Sequence, residues 1–329
     1  MLSTRPFGPT GHHVSAIGFG AWAIGGTWGE VTEADARATL QAALDSGMTF
    51  IDTADVYGDG RSERIIRAVL AEHGGARPFV ATKAGRRLSP HVADGYTRAH
   101  IEGFIDRSLA NLGVECLDLV QLHCPPSAVY QSPAMFEGLA AIRASGKIAA
   151  FGVSVETIEE ARLAIRQPGL VSVQIIYNLF RQRPAEAFFA EARAAGVAVI
   201  ARVPLASGLL TGKMSAASTF AADDHRSFNR NGEAFDKGET FSGVPFDVAL
   251  QAVDDLRRLV PQGATMAAFA LRWILMADAV TVVIPGARTP AQSQANAAAD
   301  ALPPLSADTI AAAREVYDRL VAPHVHGSW

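Results

Sequence analysis

Four residues of this sequence carry side chains that could pass a proton between them: Asp52, Tyr57, Lys83 and His123. Each stands at or just past the carboxyl end of a short apolar run, namely FIDTADVYG from Phe50, FVATK from Phe79 and LDLVQLH from Leu117. Short continuous apolar runs read as buried strands. In a closed parallel barrel the carboxyl ends of such strands converge on one mouth. A phenol has an ordinary pKa near ~10, so it is a sluggish acid at neutral pH unless a cation stabilises its anion. Lys83 can supply that cation, Asp52 can keep a buried lysine charged and fixed, and His123 can donate to or orient a carbonyl oxygen. Taken singly, the commoner readings are a turn cap for Asp52, a rim aromatic for Tyr57, a solvated charge for Lys83 and a satisfied core histidine for His123. Packing alone does not select four different proton-active groups at three consecutive strand ends. Together they predict protonation of a carbonyl oxygen while another agent delivers hydride to carbon.

The elements that would hold these residues follow from the same patterning. Strand-like runs lie near 14–21, 50–53, 79–83, 117–123, 148–154, 170–177, 197–204 and 279–285, the eight that a closed barrel needs. Helical patterns span 33–46, 62–73, 97–112, 133–145, 156–166, 184–195 and 265–277 between them. Pro133 and Pro184 suit a first helical turn, and Gly47, Gly113, Gly146 and Gly196 follow as terminators. Strand alternating with helix predicts parallel pairing through crossover connections. The expectation is an α/β fold, a (β/α)8 TIM barrel occupying 1–329 as one domain, with an amino-terminal strand segment and extra helices at 246–259 and 306–321. Residues 205–245 form a polar stretch beyond ordinary connection length, which reads as a loop able to act as a lid.

Composition narrows the function class. The chain has 329 residues, 49% of them apolar, so it can bury a large core, and its formal net charge of −4 argues against a polybasic nucleic-acid or membrane-surface partner. Cys116 and Cys124 are the two cysteines; they make no disulfide framework and match no zinc spacing. His12, His13, His324 and His326 stand apart from acidic ligands, and no metal is expected. The opening residues lack a secretion signal and no apolar stretch reaches membrane-spanning length, so the cytoplasm is the expected compartment. Gly18 and Gly20 begin a dinucleotide fingerprint that Ala23 interrupts, and SGLLTGKM lacks the spacing and the hydroxyl of a phosphate loop. No G-x-S-x-G elbow occurs, and the strand ends lack the facing carboxylate pair of a glycosidase.

Several motifs, in order, resemble the aldo-keto reductase family over essentially the full length: GFGAWAIGG at 18–26, IDTADVYGDGRSE at 51–63, ATKAG at 81–85, LDLVQLH at 117–123, GKIAAFGVS at 146–154, QIIYN at 174–178, PLASGLLTGK at 204–213 and IPGARTPAQSQAN at 284–296. The resemblance implies reversible reduction of an aldehyde or ketone to an alcohol, with Tyr57 as general acid, Lys83 and Asp52 tuning it, and His123 positioning the carbonyl. It implies a nicotinamide cofactor, NADPH with NADH as the lesser option, lying extended across the mouth. Ser154 and Gln174 match positions that hold the nicotinamide carboxamide, and Tyr177 matches the aromatic that stacks on its ring. Ser207, Leu209, Gly212 and Lys213 match the loop crossing the pyrophosphate. Gly286, Arg288, Gln292 and Asn296 match the segment around the adenosine 2′-phosphate, where a guanidinium grips phosphate through paired donors. Two positions depart from the pattern: Val155 stands where many relatives have asparagine, and Ala295 where relatives often have glutamate. Trp22, Trp28 and Phe180 are candidates for an apolar pocket near the mouth, with core the equal reading for Trp22 and Phe180. The expected partner is a small carbonyl or alcohol. Some family members are cofactor-sensing subunits of membrane channels, so a non-enzymatic binding role is the alternative. This sequence shows no long amino-terminal extension to act on a pore, and its four residues are complete, which favours turnover.

Overall fold

The computed structural model describes residues 2–26 and 31–329. The chain begins with a small antiparallel hairpin, β1 (Thr4–Pro6) and β2 (His13–Ser15), paired Thr4 to Ser15. Eight parallel strands follow: β3 (Phe19–Gly20), β4 (Phe50–Asp52), β5 (Phe79–Ala84), β6 (Leu117–His123), β7 (Ile148–Ser154), β8 (Leu170–Ile176), β9 (Ala198–Arg202) and β10 (Val280–Val283). They pair strictly in sequence order. Parallel bridges from Ile17 to Val283 and from Gly20 to Gly286 join the last strand to the first, so the sheet curls into a (β/α)8 barrel. The strand-like run expected over 14–21 is two strands, because its first part turns away to pair with β1 and only its second part enters the barrel.

Alternation along each strand divides the core into two layers. Phe50, Phe79, Ala81, Leu119, Ala198, Ile200 and Val282 form one buried cluster inside the barrel, while their neighbours Ile51, Val80, Val120, Val199 and Val283 belong to the cluster beneath the helices. Phe7, from the hairpin connection, joins the inner cluster at the amino-terminal ends of the strands, its ring centroid 5.4 Å from Phe50 and 5.0 Å from Phe79. That end of the barrel is therefore filled with aromatic rings. Polar residues occur at the other end.

The helices are α1 (Trp22–Gly25), α2 (Glu33–Asp45), α3 (Arg61–Glu72), α4 (Arg98–Leu112), α5 (Pro133–Ala144), α6 (Ile158–Ala164), α7 (Arg183–Ala187) and α8 (Phe189–Ala194) in the first part of the chain. Local chemistry sets many of their starts. Thr32, Thr97 and Ser132 each accept a backbone N–H as caps, and Thr157 with Glu160 forms a reciprocal capping box. The helix expected over 184–195 breaks at Phe188, where φ is −135°, outside the helical range, and the ring is buried.

The expected loop at 205–245 has structure of its own: a 3-10 turn at Ala206–Thr211, α9 (His225–Phe228), and further 3-10 turns at Lys237–Glu239 and Phe241–Gly243. Then come α10 (Phe246–Arg257), α11 (Met266–Leu275), α12 (Pro290–Ala298), α13 (Ala307–Val316) and α14 (Ala322–Val325). A π-helical turn, Tyr317–Val321, carries α13 into α14, so the last expected helix continues beyond residue 321. Among the described residues no helix is long and apolar enough to cross a membrane.

Candidate active site

Strand ends bring the four proton-active residues together. Lys83 is 1% exposed, and its Nζ donates to Asp52 Oδ1 at 2.5 Å, to the Thr53 carbonyl at 2.9 Å and to the Tyr57 hydroxyl at 3.3 Å. The other carboxylate oxygen of Asp52 accepts from Gln121 Nε2 at 3.1 Å and from Gln174 Nε2 at 2.8 Å. Asp52 is thus held on both oxygens, which a buried ion pair needs if it is to stay charged in a poor solvent. Tyr57 lies in the turn between β4 and α3, and its ring meets the His123 ring edge-on with centroids 6.0 Å apart. Trp22 also stacks on Tyr57, 6.0 Å away and tilted by 16°. Two glycines permit this: a Cβ at Gly25 would lie 2.7 Å from Tyr57 Cβ, and one at Gly58, where φ is +59°, would lie 1.9 Å from the Gly25 carbonyl oxygen.

Burial pushes the Tyr57 hydroxyl above its ordinary pKa, and Lys83 pulls the other way without prevailing. The lysine acts in the direction expected from the sequence, but the net shift is upward, so the phenol keeps its proton. Burial also opposes the charge of Lys83, yet Asp52 and Tyr57 outweigh it and hold the ammonium above its ordinary value. Burial, followed by the cations Arg86, Lys83 and Arg202, holds the His123 imidazole well below its ordinary value. A neutral imidazole and a protonated phenol therefore face the same space. His123 Nδ1 is buried without a hydrogen-bond partner.

A second charged group adjoins the first. Glu239, from the long segment, lies between Arg86 at 2.9 Å and Arg202 at 3.3 Å, and Arg86 also reaches Glu156 at 3.2 Å. Burial works against the Glu239 charge, but the two arginines hold its pKa down at about 2. Ligand atoms of Cys124, Glu156 and Glu239 come within 4.8 Å of one another. Arg86 and Arg202 already balance the acids there. Beside this group opens a cleft of about 440 Å³.

The residues matched to a cofactor fall into three sets. Ser154 and Gln174 end neighbouring strands in register with each other, with His123 paired to Ser154 on the other side. Gln174 spends its amide N–H groups on Asp52 and Gln121, and the Ser154 hydroxyl accepts from the Cys124 thiol at 3.4 Å. Val155 turns its carbonyl to Arg202 Nη2 at 3.0 Å. Tyr177 does not join them: it is 4% exposed and its ring packs on Phe189 and Trp273 of the helical layer, at 4.8 and 5.1 Å. The stacking role implied by resemblance has no support in that placement, because the residue follows β8 with its side chain outward.

Ser207, Leu209, Gly212 and Lys213 share the turn after β9. Ser207 donates to the Glu239 carbonyl at 2.9 Å and accepts from Phe241 N–H, Leu209 is buried, Gly212 has φ +70°, and Lys213 is exposed. Gly286, Arg288, Gln292 and Asn296 converge around the start of α12. The Arg288 backbone N–H donates to Gln292 Oε1 at 2.7 Å and Asn296 Nδ2 donates to the Gly286 carbonyl at 3.2 Å. Gly286 is exposed, and a Cβ there would meet nothing nearer than 3.6 Å. Phe180 is core, Trp22 is half-buried against Tyr57, and Trp28 lies outside the described residues.

Sequence reasoning passed over Gln121, Arg86 and Glu239. Gln121 had a signal, a lone amide in an apolar run two residues before His123 and so on the same strand face. Glu239 had none, since its partners lie 153 and 37 positions away in the chain.

Comparison with known proteins places the chain in a family. The model of the aldo/keto reductase family matches residues 16–318, and the chain belongs to that family. Aldo-keto reductase YhdN of Bacillus subtilis (strain 168) is 34% identical over 296 residues, 87% of this chain and 85% of that protein. The glycerol dehydrogenase AKR11B4 from Gluconobacter oxydans superposes with a TM-score of 0.76 at 31% identity, over 99% of this chain and 97% of its own. A probable voltage-gated potassium channel subunit beta of Oryza sativa subsp. japonica is 28% identical, covering 94% of each chain. The chain is an oxidoreductase-family barrel by both sequence and fold.

Proposed function

We propose that this protein reversibly reduces an aldehyde or ketone to an alcohol with NADPH, Tyr57 giving the oxygen its proton. The observation that carries this reading is the Lys83 ammonium, buried between the Asp52 carboxylate and the Tyr57 hydroxyl. When bound, the dihydronicotinamide supplies hydride to the carbonyl carbon. Tyr57 begins with its proton, and the phenolate left when it donates forms beside an ammonium that cannot move away. Charge that develops next to a fixed dipole or ion costs no reorganisation. His123, neutral, orients the carbonyl oxygen by hydrogen bonding and adds no competing charge.

Residues around the mouth fit such a cofactor. The space over Gly286, the exposed Lys213 and the capped start of α12 with Arg288 suit phosphate groups. Ser154 and the carbonyl oxygen of the Gln174 amide would hold the carboxamide, while Ser207, Leu209 and Gly212 would contribute the turn beside the pyrophosphate, and Gln292 and Asn296 would shape the far end. The preference for NADPH over NADH rests on Arg288. On the same reading the protein works in the cytoplasm as one domain, on a small molecule and without nucleic-acid or membrane partners.

The similarity to a channel subunit beta favours a second reading, in which the barrel binds the cofactor as a sensor. Screening carbonyl compounds by loss of reduced-nicotinamide absorbance decides between them. Turnover that saturates with substrate supports the reductase. Tight cofactor binding with no turnover on any compound would favour the sensor.

A further inference from the structure

Gln121 is fully buried against the Asp52 carboxylate, and no step of the proposed reaction uses it. It is registered with Lys83 on β5 and with Gly152 on β7. A Cβ at Gly152 would fall 2.2 Å from the Ser172 hydroxyl, so no side chain fits there, and Gln121 reaches across β7 to Gln174 on β8. Three groups then close a triangle. Gln121 Nε2 donates to Asp52 Oδ2 at 3.1 Å, Gln174 Nε2 donates to the same oxygen at 2.8 Å, and Gln174 Nε2 also donates to Gln121 Oε1 at 3.3 Å.

The chemistry of these groups fixes which way each amide turns. An ionised carboxylate only accepts, and Lys83 already holds the other oxygen of Asp52, so both amide nitrogens must face Oδ2. With its N–H groups engaged by Asp52 and Gln121, Gln174 has one group left to offer, its carbonyl oxygen. Among the described residues that oxygen accepts from no protein donor, and it is not one of the sealed atoms that lack a partner, so a ligand can reach it. Turning the amide over would set its oxygen against two others, Asp52 Oδ2 and Gln121 Oε1. Buried polar groups mismatched in this way lose more than the bonds they give up.

We propose that Asp52 and Gln121 are positioning residues for the cofactor as well as for the proton. They lock Gln174 with its carbonyl oxygen outward, so the site takes a nicotinamide whose carboxamide donates an N–H and rejects one whose substituent can only accept. One carboxylate thereby serves both partners of the reaction, the proton side through Oδ1 and Lys83 and the cofactor side through Oδ2 and Gln174.

This inference rests on the cofactor part of the reductase reading. Its test is the binding, read by quenching of tryptophan fluorescence, of NADP+ and of its acetylpyridine analogue, in which a methyl group replaces the carboxamide NH2. The proteins compared are the wild type, Gln121→Met and Asp52→Asn. The wild type should prefer NADP+ by about 10- to 100-fold, the worth of a hydrogen bond whose loss leaves a carbonyl oxygen unpaired. Gln121→Met removes one of the two oxygens that forbid the turned amide and should lower that ratio at least threefold. In Asp52→Asn, Lys83 requires the remaining oxygen, so the new amide nitrogen faces Gln174 and draws its carbonyl inward. The ratio there should fall to about one or reverse. Structural damage alone would weaken both ligands together and leave the ratio in place. Should Asp52→Asn not fold, judged by its urea midpoint, Gln121→Met decides. A wild type that binds both ligands equally would overturn the inference and leave the cofactor reading standing. A ratio unmoved in Gln121→Met would overturn the role of Gln121, and one unmoved in Asp52→Asn that of Asp52. Binding of neither ligand to the wild type would overturn the cofactor reading and this inference with it.

Discussion

The Nζ of Lys83 lies 3.3 Å from the Tyr57 hydroxyl, although the two residues come from different strand ends and are 26 positions apart. Nothing local holds them there. The pair exists because β4 and β5 are adjacent and in register, and because Asp52, itself held by Gln121 and Gln174, anchors the lysine.

Tyr57→Phe removes the proton and keeps the ring's contacts with Trp22 and His123. Carbonyl reduction should fall about 10²–10⁴-fold, the usual contribution of a positioned acid. NADPH affinity, measured by fluorescence titration, should change less than about twofold. Retention of full activity would falsify the assignment of Tyr57.

Arg288→Ala should reduce discrimination between NADPH and NADH. A lost guanidinium–phosphate interaction is worth about 1.5–3 kcal/mol, or roughly 10- to 100-fold in the ratio of the two dissociation constants. An unchanged ratio rules that role out.

Asp55 is buried with neither carboxylate oxygen hydrogen-bonded; burial, reinforced by Glu63, pushes its pKa up to about 7 against the pull of Arg87 and Arg107. An acid whose folded pKa exceeds its unfolded value of about 3.9 binds its proton better when folded. Stability from this group is therefore full below ~3.9 and is lost as pH rises to 7, by on the order of 4 kcal/mol. Asp55→Asn should be more stable than wild type at pH 8 and nearly equal at pH 4, read from urea midpoints. A difference independent of pH would sink this account.

Glu239 fastens the long segment to the barrel through Arg86 and Arg202. Removing one partner of a buried ion pair costs about 3–5 kcal/mol, because the others stay buried unmatched. Glu239→Gln should therefore speed proteolytic cleavage within 214–237 at least tenfold while the barrel stays intact. Bound NADPH should slow cleavage there if the segment acts as a lid, and identical digestion with and without it removes that idea.

Strand order and barrel closure were legible because buried parallel strands appear as short continuous apolar runs, and Thr or Ser caps marked several helix starts. The hairpin was less so: 14–21 is one apolar run, and only its pairing with Thr4–Pro6 divides it. The four proton-active residues stand at strand ends, so their neighbourhood follows from the fold. The Gln121 and Gln174 contacts to Asp52 cross the barrel interior and depend on its diameter. Tyr177 misled because position relative to a strand end does not say which way a ring turns. The long segment was opaque for a related reason, since Glu239 orders it through residues distant in the chain.

The aromatic filling around Phe7 makes the molecule a cup and not a pipe. Reactant and product must share a single doorway, and the side chains around that rim can be exchanged for a new clientele while the plugged base goes on holding the vessel together.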